Sequence, residues 1–430
     1  MPDRLGWRDA PRASLALWDS WARFAAAARA DGLERLVVCG MGGSSLAPYV
    51  LATSSGARTC TVLDSTDPGA VLDCERANDP ARTLYLISSK SGTTVETLSA
   101  YRYFAARAPA NHFAAVTDPG TPLEQLAAAR GFRGCFPHPL DVGGRYAALT
   151  VVGMLPAALM GIDGRALLER AQAVNVGAAR VLGERIAAAV RAGRDKLALQ
   201  LPPRVATLAL WIEQLVAESS GKSGNGVVPV PGSARGADVE LMTQFSEDPA
   251  DLGAEFLRWE HATQALCEQL GVDPFDQPDV EAAKAFARDA LATAADAATL
   301  TPAALARAAR PGDYVAILAY LPPRPDMERR LEAVRAAWAS STGCVATLAF
   351  GPRYLHSTGQ LHKGGPNTGL FLVVTAEPEE DAEIPELGIT FGRLERAQAA
   401  GDVRALLGRG RRVSHVHLPA LDALESALLA

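Results

Sequence analysis

Residues 35–45 read Arg-Leu-Val-Val-Cys-Gly-Met-Gly-Gly-Ser-Ser, and residues 83–97 read Thr-Leu-Tyr-Leu-Ile-Ser-Ser-Lys-Ser-Gly-Thr-Thr-Val-Glu-Thr. In both stretches a short apolar run ends in small and hydroxyl-bearing residues, and a helix-like pattern follows. This is typical of a strand that leads into a helix N-terminus through a flexible loop. Backbone N–H groups and hydroxyls converge in such a loop, which favours the binding of an anion. We therefore expect the two loops to form one phosphate pocket.

Strand-like and helix-like patterns alternate along the first half of the chain. The predicted strands are 35–39, 60–63, 84–88 and 112–116, and the predicted helices are 15–30, 94–106, 122–130 and 146–161. This alternation predicts an α/β fold with a mainly parallel sheet that helices cover on both faces. Ligands of such sheets bind beyond the carboxyl ends of the strands, where both hydroxyl-rich loops lie.

A second α/β series follows a long helical stretch at 165–194. Its predicted strands and helices are 196–201, 206–217, 227–230, 254–270, 279–294, 314–320, 326–340, 345–350, 369–374 and 413–418. Residues 301–311 have the composition of an exposed linker. Because domains commonly contain about 100–200 residues, we predict an N-terminal phosphate-binding domain at 1–165 and a C-terminal domain at 166–430.

Composition restricts the possible functions. The chain is 48% hydrophobic and 21% charged, which is typical of a globular protein with a large core. Its net charge of −6 disfavours a nucleic-acid partner. The absence of a run of about 18 apolar residues disfavours a membrane span. Six cysteines without a C-x-x-C pair, together with an N-terminus that lacks the apolar run of a signal peptide, indicate a cytoplasmic protein with reduced thiols.

The second loop offers five hydroxyl groups in the seven residues 88–94. We expect Ser89, Ser91 and Thr94 to bind a phosphate, with Lys90 supplying a positive charge. The alternative is that a Ser or Thr caps the following helix, since these are favoured capping residues. One cap accounts for only one hydroxyl, however, so phosphate binding is the favoured interpretation.

The first loop does not match a nucleotide-binding fingerprint. Gly40, Gly42 and Gly43 precede Ser44, but the third spaced glycine of G-x-G-x-x-G is missing. We therefore expect no nucleotide cofactor. A metal is not expected either, because His415 and His417 alternate on one strand without a nearby carboxylate and are more typical of core or edge positions.

Two charged residues suit chemistry on a sugar. Arg145 follows two glycines at the predicted start of the helix 146–161, where a cation opposes the helix dipole and calls for an anionic partner. Pairing with Asp141 at the surface is the alternative. Glu218 lies where a predicted helix ends at Gly221, and its charge there also opposes the dipole. Such a carboxylate is a better proton acceptor, as a general base requires, although a solvated glutamate is the simpler explanation.

Two further segments carry candidates. Gln277 precedes a helix start at Pro278, and Lys284 lies two turns later, where a lysine is ordinarily solvated. A polar loop at 351–365 lies between two buried strands and contains His356 and His362. Loop histidines on a rigid scaffold are reasonable acid–base candidates, but a structural hydrogen bond explains His356 equally well.

Taken together, six of these segments resemble the glucose-6-phosphate isomerase family, whose members are built from two sugar-isomerase (SIS) domains. The segments are 40–48, 88–97, 142–148, 218–222, 275–284 and 354–364. The chain is most similar to the isomerase half of the bifunctional transaldolase/glucose-6-phosphate isomerase fusions. The resemblance implies two SIS-type domains, reversible isomerisation of glucose 6-phosphate and fructose 6-phosphate through an enediolate, and no cofactor. It also implies a cytoplasmic homodimer acting in glycolysis and gluconeogenesis, with a transaldolase as an associated domain or partner.

The resemblance assigns roles by position. Glu218 is implied as the base that carries a proton between C1 and C2, and Arg145 as the group that stabilises the enediolate. Lys284 and His356 are implied to assist ring opening, with His362 as the substitute for His356. The implied substrate- and phosphate-binding residues are Gly43, Ser44, Ser89, Lys90, Ser91, Thr94, Glu96 and Gln277. The family takes its active-site histidine from the partner subunit, which is the reason for expecting a dimer.

One departure from the family concerns chain order. In typical members the histidine segment precedes the Phe-Asp-Gln-Pro segment, whereas here His356 follows Gln277 by 79 positions, an order that the fusion-type isomerases share. Two alternatives stay open. One is an isomerase of another sugar phosphate such as mannose 6-phosphate. The other is a non-catalytic sugar-phosphate-binding regulator, which would keep the phosphate hydroxyls but would not need Glu218 and Arg145.

Overall fold

The computed structural model describes residues 4–232, 239–240, 245–278 and 298–429. The predicted α/β class is confirmed, because the larger sheets are parallel and are flanked by helices. Among the described helices, none has the length and apolar character that crossing a membrane requires. All six cysteines are free thiols, of which four are buried.

The first sheet has five parallel strands in the order β2-β1-β3-β4-β5. These strands are β1 (Arg35–Gly40), β2 (Cys60–Leu63), β3 (Thr83–Ser88), β4 (Phe113–Thr117) and β5 (Gly134–Pro137). The four strands that the sequence predicts are all present within one residue of their expected ends. The edge strand β5 was not predicted, because its alternating half-buried pattern covers only four residues.

Side chains of the first sheet alternate between two apolar layers. Leu36 and Val38 of β1 belong to one core cluster, whereas Val37 and Cys39 belong to another. All four are at most 3% exposed. Successive side chains of a strand point to opposite faces, so a continuous apolar run forms a strand that is buried on both sides.

Helices of the first half cover both layers. They are α1 (Ala10–Ala30), α2 (Leu46–Ser55), α3 (Pro68–Ala77), α4 (Val95–Ala105), α5 (Pro122–Arg130), α6 (Val151–Met160), α7 (Gly164–Gln172) and α8 (Val176–Arg191). One prediction is wrong here. The expected helix at 146–161 begins only at Val151, because the Thr150 hydroxyl accepts from the Val152 N–H as its N-cap. The stretch 165–194 is helical as predicted, but it forms two helices, the second capped by Asn175.

A smaller parallel sheet follows, in the order β7-β6-β8. It comprises β6 (Lys196–Leu199), β7 (Val228–Pro231) and β8 (Val239–Glu240), and it is accompanied by the long helices α9 (Leu208–Ser220) and α10 (Leu252–Leu270). One core cluster runs from Trp7 to Leu266 and so contains residues on both sides of position 165. The boundary between 165 and 166 stays a prediction. The predicted helix at 279–294 lies outside the described residues.

The third sheet is parallel, in the order β10-β9-β11-β14. Its elements, including a small antiparallel ribbon of β12 and β13, are α11 (Pro302–Arg307), β9 (Tyr314–Tyr320), α12 (Pro325–Thr342), β10 (Val345–Phe350), α13 (Gly359–Gly364), β11 (Gly369–Ala376), β12 (Glu383–Ile384), β13 (Ile389–Thr390), α14 (Phe391–Gly408), β14 (Arg412–Leu418) and α15 (Leu424–Leu428). Helix α14, which carries residues of the candidate site, was not predicted.

The interpretation of residues 301–311 as an exposed linker is wrong. Helix α11 occupies most of this stretch, and the Thr301 side chain accepts a hydrogen bond from the Ala304 N–H as its N-cap. Leu305 is 0% exposed and belongs to the core cluster on one face of the third sheet. The single leucine therefore anchors a segment whose other side chains are small or polar.

Replacement of Leu305 tests this packing. Leu305→Ala is expected to lower the free energy of unfolding by about 2–5 kcal/mol, because a fully buried leucine is truncated. The measurement is a denaturant titration. The exposed Arg307 of the same helix provides the control, and Arg307→Ala should change stability by no more than about 0.5 kcal/mol. Equal, negligible effects of both changes would support a linker instead.

Candidate active site

The two hydroxyl-rich loops lie at the same edge of the first sheet. The 3-10 turn Gly42–Ser44 follows β1, and residues 89–94 follow β3, which pairs with β1 in parallel. The carboxyl ends of adjacent parallel strands lie side by side, so the loops are neighbours, as the sequence predicts. Two other 3-10 turns, Gly144–Tyr146 and Arg353–His356, approach the same place.

Gly42 and Gly43 permit this convergence. A Cβ atom on Gly42 would stand 2.3 Å from the His356 carbonyl oxygen, and Gly42 also has a φ of +52°. A Cβ atom on Gly43 would stand 2.2 Å from the Gly144 carbonyl oxygen. Both distances are far below any van der Waals contact. These glycines are therefore required by close approach of two distant backbone segments, in addition to any contact with a ligand.

Glu218 and Arg145 form a buried ion pair. Arg145 Nη1 lies 2.8 Å from Glu218 Oε1, and their side chains are only 5% and 8% exposed. The other carboxylate oxygen, Oε2, accepts from Gln214 Nε2 at 3.0 Å. Arg145 Nε also donates to Ser219 Oγ at 2.9 Å. One oxygen of Glu218 is thus paired with the guanidinium and the other accepts a hydrogen bond from Gln214, which together hold the carboxylate in one orientation.

The partner of Arg145 differs from both sequence-based expectations. Arg145 does not begin a helix, because the 3-10 turn containing it ends at Tyr146 and α6 starts at Val151. The alternative pairing with Asp141 is also not found, since the guanidinium contacts Glu218. Arg145 nevertheless has an anionic partner, as predicted. The partner is Glu218, and the arginine lies in a 3-10 turn and not at a helix start.

The Phe-Asp-Gln-Pro segment is held against this ion pair. Arg145 Nη2 donates to the Asp276 carbonyl oxygen at 3.1 Å. Lys222 is 3% exposed, and its Nζ lies 2.8 Å from Asp276 Oδ1. Burial and the neighbouring Arg145 charge lower the pKa of Lys222, while Asp276 opposes them. Gln277, next in the chain, is exposed at the edge of this cluster. Lys284 lies outside the described residues.

His356 is connected to Glu218 through Gln214 within the same chain. Its Nε2 is 3.0 Å from Glu96 Oε1, and its carbonyl oxygen accepts from Gln214 Nε2 at 2.7 Å. Gln214 therefore bridges the His356 turn and the Glu218 carboxylate. The His356 side chain is 21% exposed, whereas Glu96 is 6% exposed. Glu96 also accepts from Gln398 Nε2 at 2.7 Å.

The other histidines that the sequence analysis considered, His362, His415 and His417, lie elsewhere. His362 is 3% exposed and packs among Tyr314, Tyr354 and Phe371, where burial lowers its pKa. It is unsuited to replace His356 as a solvent-facing acid. His415 and His417 both contact the Thr375 hydroxyl at 3.0 Å. Across the part of the chain that the structure describes, no group of three or more His, Cys, Asp and Glu side chains is placed to hold a metal ion.

Four of the five hydroxyls of the second loop form two pairs. Ser89 Oγ lies 2.8 Å from Thr94 Oγ1, and Ser91 Oγ lies 3.0 Å from Thr93 Oγ1. Thr94 occupies the N-cap position of α4, yet its side chain makes no capping hydrogen bond. The capping alternative for Thr94 is therefore not what the structure shows, and the first turn of this helix keeps N–H groups without a side-chain cap.

A small pocket opens beside this loop. Its lining includes Gly43, Ser44, Lys90, His138 and Gly144. Lys90 Nζ lies 2.6 Å from Asp118 Oδ2, and His138 Nδ1 lies 3.0 Å from Asp118 Oδ1. Burial alone would raise the pKa of Asp118, but the hydrogen bonds from His138 and Lys90 lower it. The charge of Lys90 is thus shared with a protein carboxylate.

The structure brings most of the predicted residues together in one region. Arg145, Glu218, Glu96 and His356 are connected through direct contacts and Gln214, and Gly43, Ser44 and Lys90 line the adjoining pocket. Ser91 is exposed and contacts Thr93. The residues that sequence reasoning missed are Gln214, Ser219, Lys222 and Gln398. Gln214 precedes Glu218 by four residues on a helix, a spacing that predicts contact; nothing in the sequence indicates Gln398.

Comparison with known proteins shows which enzymes the chain resembles. The family model described as phosphoglucose isomerase matches residues 22–185. A glucose-6-phosphate isomerase of Thermus thermophilus is 34% identical over 278 residues, which are 57% of this chain and 64% of that enzyme. The resemblance to glucose-6-phosphate isomerases is confirmed. A second one, from a Synechococcus species, is 35% identical over 212 residues, covering 44% of this chain and 40% of that enzyme.

The fold is also found in a solved structure of a glucose-6-phosphate isomerase. The enzyme from Chlamydia trachomatis superposes with a TM-score of 0.55 and 19% identity, covering 65% of this chain and 74% of that one. This similarity concerns the fold. The matched part of the chain spans from about two fifths to just under two thirds of the length of the two sequence relatives above. The similarity to the transaldolase-fused type of isomerase stays a prediction.

The close approach at Gly42 can be tested by substitution. Gly42→Ala is expected to lower the free energy of unfolding by more than the ~1–2 kcal/mol that left-handed backbone costs an L-residue, because its Cβ also meets the His356 carbonyl. Thermal or denaturant unfolding measures this. Gly144→Ala is the control, since a Cβ there meets nothing within 4 Å and its φ is not left-handed. A tolerated Gly42→Ala would contradict the packing described here.

Proposed function

We propose that this chain interconverts glucose 6-phosphate and fructose 6-phosphate through an enediolate intermediate. The observation that carries the proposal is the buried contact of Arg145 with Glu218. Aldose–ketose isomerisation needs one carboxylate base and a fixed cation beside the charge that develops on oxygen. The names of the similar enzymes supply glucose 6-phosphate, whose ketose isomer is fructose 6-phosphate. A regulator that only binds sugar phosphates would not need this ion pair.

Glu218 is proposed as the base. In the open-chain aldose it removes the proton from C2 while the carbonyl oxygen on C1 takes up negative charge. The proton of the C2 hydroxyl passes to the C1 oxygen, the same Glu218 carboxyl group returns the carbon-bound proton to C1, and the C2 oxygen becomes the ketone. Gln214 keeps one carboxylate oxygen oriented and Arg145 lies on the other side, 2.8 Å away. Arg145 is then in position to stabilise the enediolate as negative charge leaves Glu218.

His356 and Lys284 are proposed to assist ring opening. The Nε2 atom of His356 faces Glu96, so Nδ1 is the nitrogen left to exchange a proton with the ring oxygen of the sugar. This role of His356 is supported by its position, because Gln214 contacts both the His356 carbonyl and Glu218. Lys284 follows from the resemblance alone. Gln277 is proposed to contact the sugar from the segment that Arg145 holds.

The phosphate is proposed to bind at the second loop. Ser44, Ser89, Ser91 and Thr94 would donate hydroxyl hydrogen bonds, and the first turn of α4 would add backbone N–H groups. Gly43 and Lys90 line the adjoining pocket. Lys90 would have to share its charge between the phosphate and Asp118, so we expect the hydroxyls and backbone to provide most of the specific contacts.

The assembly, location and pathway of the protein belong to the same proposal. We propose a cytoplasmic homodimer that serves glycolysis and gluconeogenesis, as the resemblance implies. The association with a transaldolase stays a prediction.

The direct test of the function is a coupled assay that converts fructose 6-phosphate to glucose 6-phosphate, run with and without a chelator. Equal turnover in both is expected; the absence of turnover with any sugar phosphate would refute an isomerase.

The role of Glu218 is tested by Glu218→Gln, which keeps the shape but cannot accept the proton. We expect kcat to fall by about 10²–10⁴-fold, the range for loss of general base catalysis, with a nearly unchanged KM. Glu213 on the same helix is the matched control. Burial raises the pKa of Glu213 to about 8, partly opposed by Arg353, so it is mostly protonated at pH 7 and Glu213→Gln should be nearly silent. Near-normal kcat in Glu218→Gln would exclude it as the base.

The phosphate site is tested by Ser89→Ala and Thr94→Ala. Each removes a hydrogen bond to a charged group worth about 1.5–3 kcal/mol, so KM should rise roughly 10- to 100-fold with little change in kcat. Inhibition by inorganic phosphate should weaken in parallel. Ser55→Ala is the control, because its hydroxyl only donates within α2. An unchanged KM together with unchanged phosphate inhibition would place the anion site elsewhere.

A further inference from the structure

A buried line of hydrogen bonds stands behind His356. Gln398, on helix α14, donates its Nε2 to Glu96 Oε1 at 2.7 Å. Its amide oxygen accepts from the Thr66 hydroxyl at 2.7 Å. The same Glu96 oxygen lies 3.0 Å from His356 Nε2. Four side chains from separate parts of the chain therefore form one connected network.

The polarity of this network is fixed. Thr66, Gln398 and Glu96 are 0%, 4% and 6% exposed, so water does not compete for their hydrogen bonds. An ionised Glu96 can only accept, which requires the NH₂ group of Gln398 to face it. The amide oxygen must then face the Thr66 hydroxyl, which can donate. Reversing the amide would leave a buried carboxylate against a carbonyl oxygen, an arrangement that costs free energy.

We propose that Gln398 is a positioning residue that acts on His356 through Glu96, with Thr66 holding the amide in its working orientation. The proposal rests on the proposed role of His356 in ring opening. Gln398 and His356 share one acceptor oxygen, so the amide prevents the carboxylate from turning away. A fixed acceptor at Nε2 keeps the proton of neutral His356 on that nitrogen, and Nδ1 stays available to the sugar.

The position of Glu96 in the fold suits its part in this network. It lies in the first turn of α4, where the helix dipole stabilises a negative charge. Glu96 belongs to a helix of the first sheet, whereas Gln398 and His356 belong to the part of the chain that forms the third sheet. The network thus fixes the histidine across the junction between these two parts. A surface hydrogen bond could not do so, because solvent would exchange with it.

The first test reads the histidine directly. Long-range ¹⁵N–¹H spectra of histidine-labelled protein show which ring nitrogen carries the proton, and His356→Gln identifies the signals. We expect a single Nε2–H form of neutral His356 in the unchanged protein and averaging over both nitrogens in Gln398→Leu. Thr66→Val, a nearly isosteric change, should move the signals in the same direction by less. Unchanged ring signals in both variants would overturn the proposal.

The second test is kinetic and depends on the proposed activity. Gln398→Leu should lower kcat/KM about tenfold, a part of the 10²–10⁴-fold that a positioned acid–base group contributes. Leu394→Ala is the control on the same helix, because Leu394 is buried in the apolar core and its loss weakens packing without touching the network. The control should leave the His356 signals and kcat/KM unchanged. If Leu394→Ala shifts the ring signals as Gln398→Leu does, the effect is general loosening and the proposal fails.

These two readouts separate the proposal from the function on which it rests. An altered tautomer in Gln398→Leu supports the positioning role even if the unchanged protein proves inactive towards sugar phosphates, in which case only the proposed function falls. An active protein whose His356 signals ignore Gln398 leaves the function standing and removes the positioning role.

Discussion

Gly42 and Gly43 carry no side chains, and the assembly of the site depends on this. The turn after β1 has the His356 carbonyl against one glycine and the Gly144 carbonyl against the other, each closer than any Cβ allows. Arg145 follows Gly144 directly, so a side chain at position 43 would displace the guanidinium from Glu218. A side chain at position 42 would displace the His356 turn from Gln214. The geometry of base, cation and histidine therefore follows from a steric constraint on two backbone positions.

A second constraint follows from burying charge. Moving an arginine and a carboxylate out of water is costly, and removing one partner of such a pair typically costs about 3–5 kcal/mol. The cost of burying these charges is offset by further contacts. Glu218 contacts both Arg145 and Gln214, and Arg145 also donates to the Ser219 hydroxyl and the Asp276 carbonyl. These same contacts remove rotational freedom from both groups. The contacts that stabilise the buried ion pair therefore also fix its orientation, which preorganises Glu218 for proton transfer.

The sequence predicted what depends on local pattern. Buried apolar runs identified four of the five strands of the first sheet within a residue, and their shared direction placed the two hydroxyl-rich loops side by side. Prediction failed where distant contacts decide. The apolar stretch from Tyr146 onwards looks helical throughout, yet its first residues turn back towards Glu218 before Thr150 caps the helix. Leu305 and Gln398 likewise have roles that depend on distant partners. Leu305 packs in a core cluster of the third sheet, and Gln398 contacts Glu96, which lies 302 residues away along the chain.

The unusual chain order has a simple structural explanation. Glu96 comes from a helix of the first sheet, Glu218 and Gln214 from α9, and His356 from a turn after β10. A site assembled from separate elements requires only that their ends meet, so the order in which the chain visits them is secondary. The described contacts between these groups lie within one chain, and none of the three elements carries the set alone. Turns at the ends of the first and third sheets meet beside α9, and this packing brings the histidine and the proposed base together.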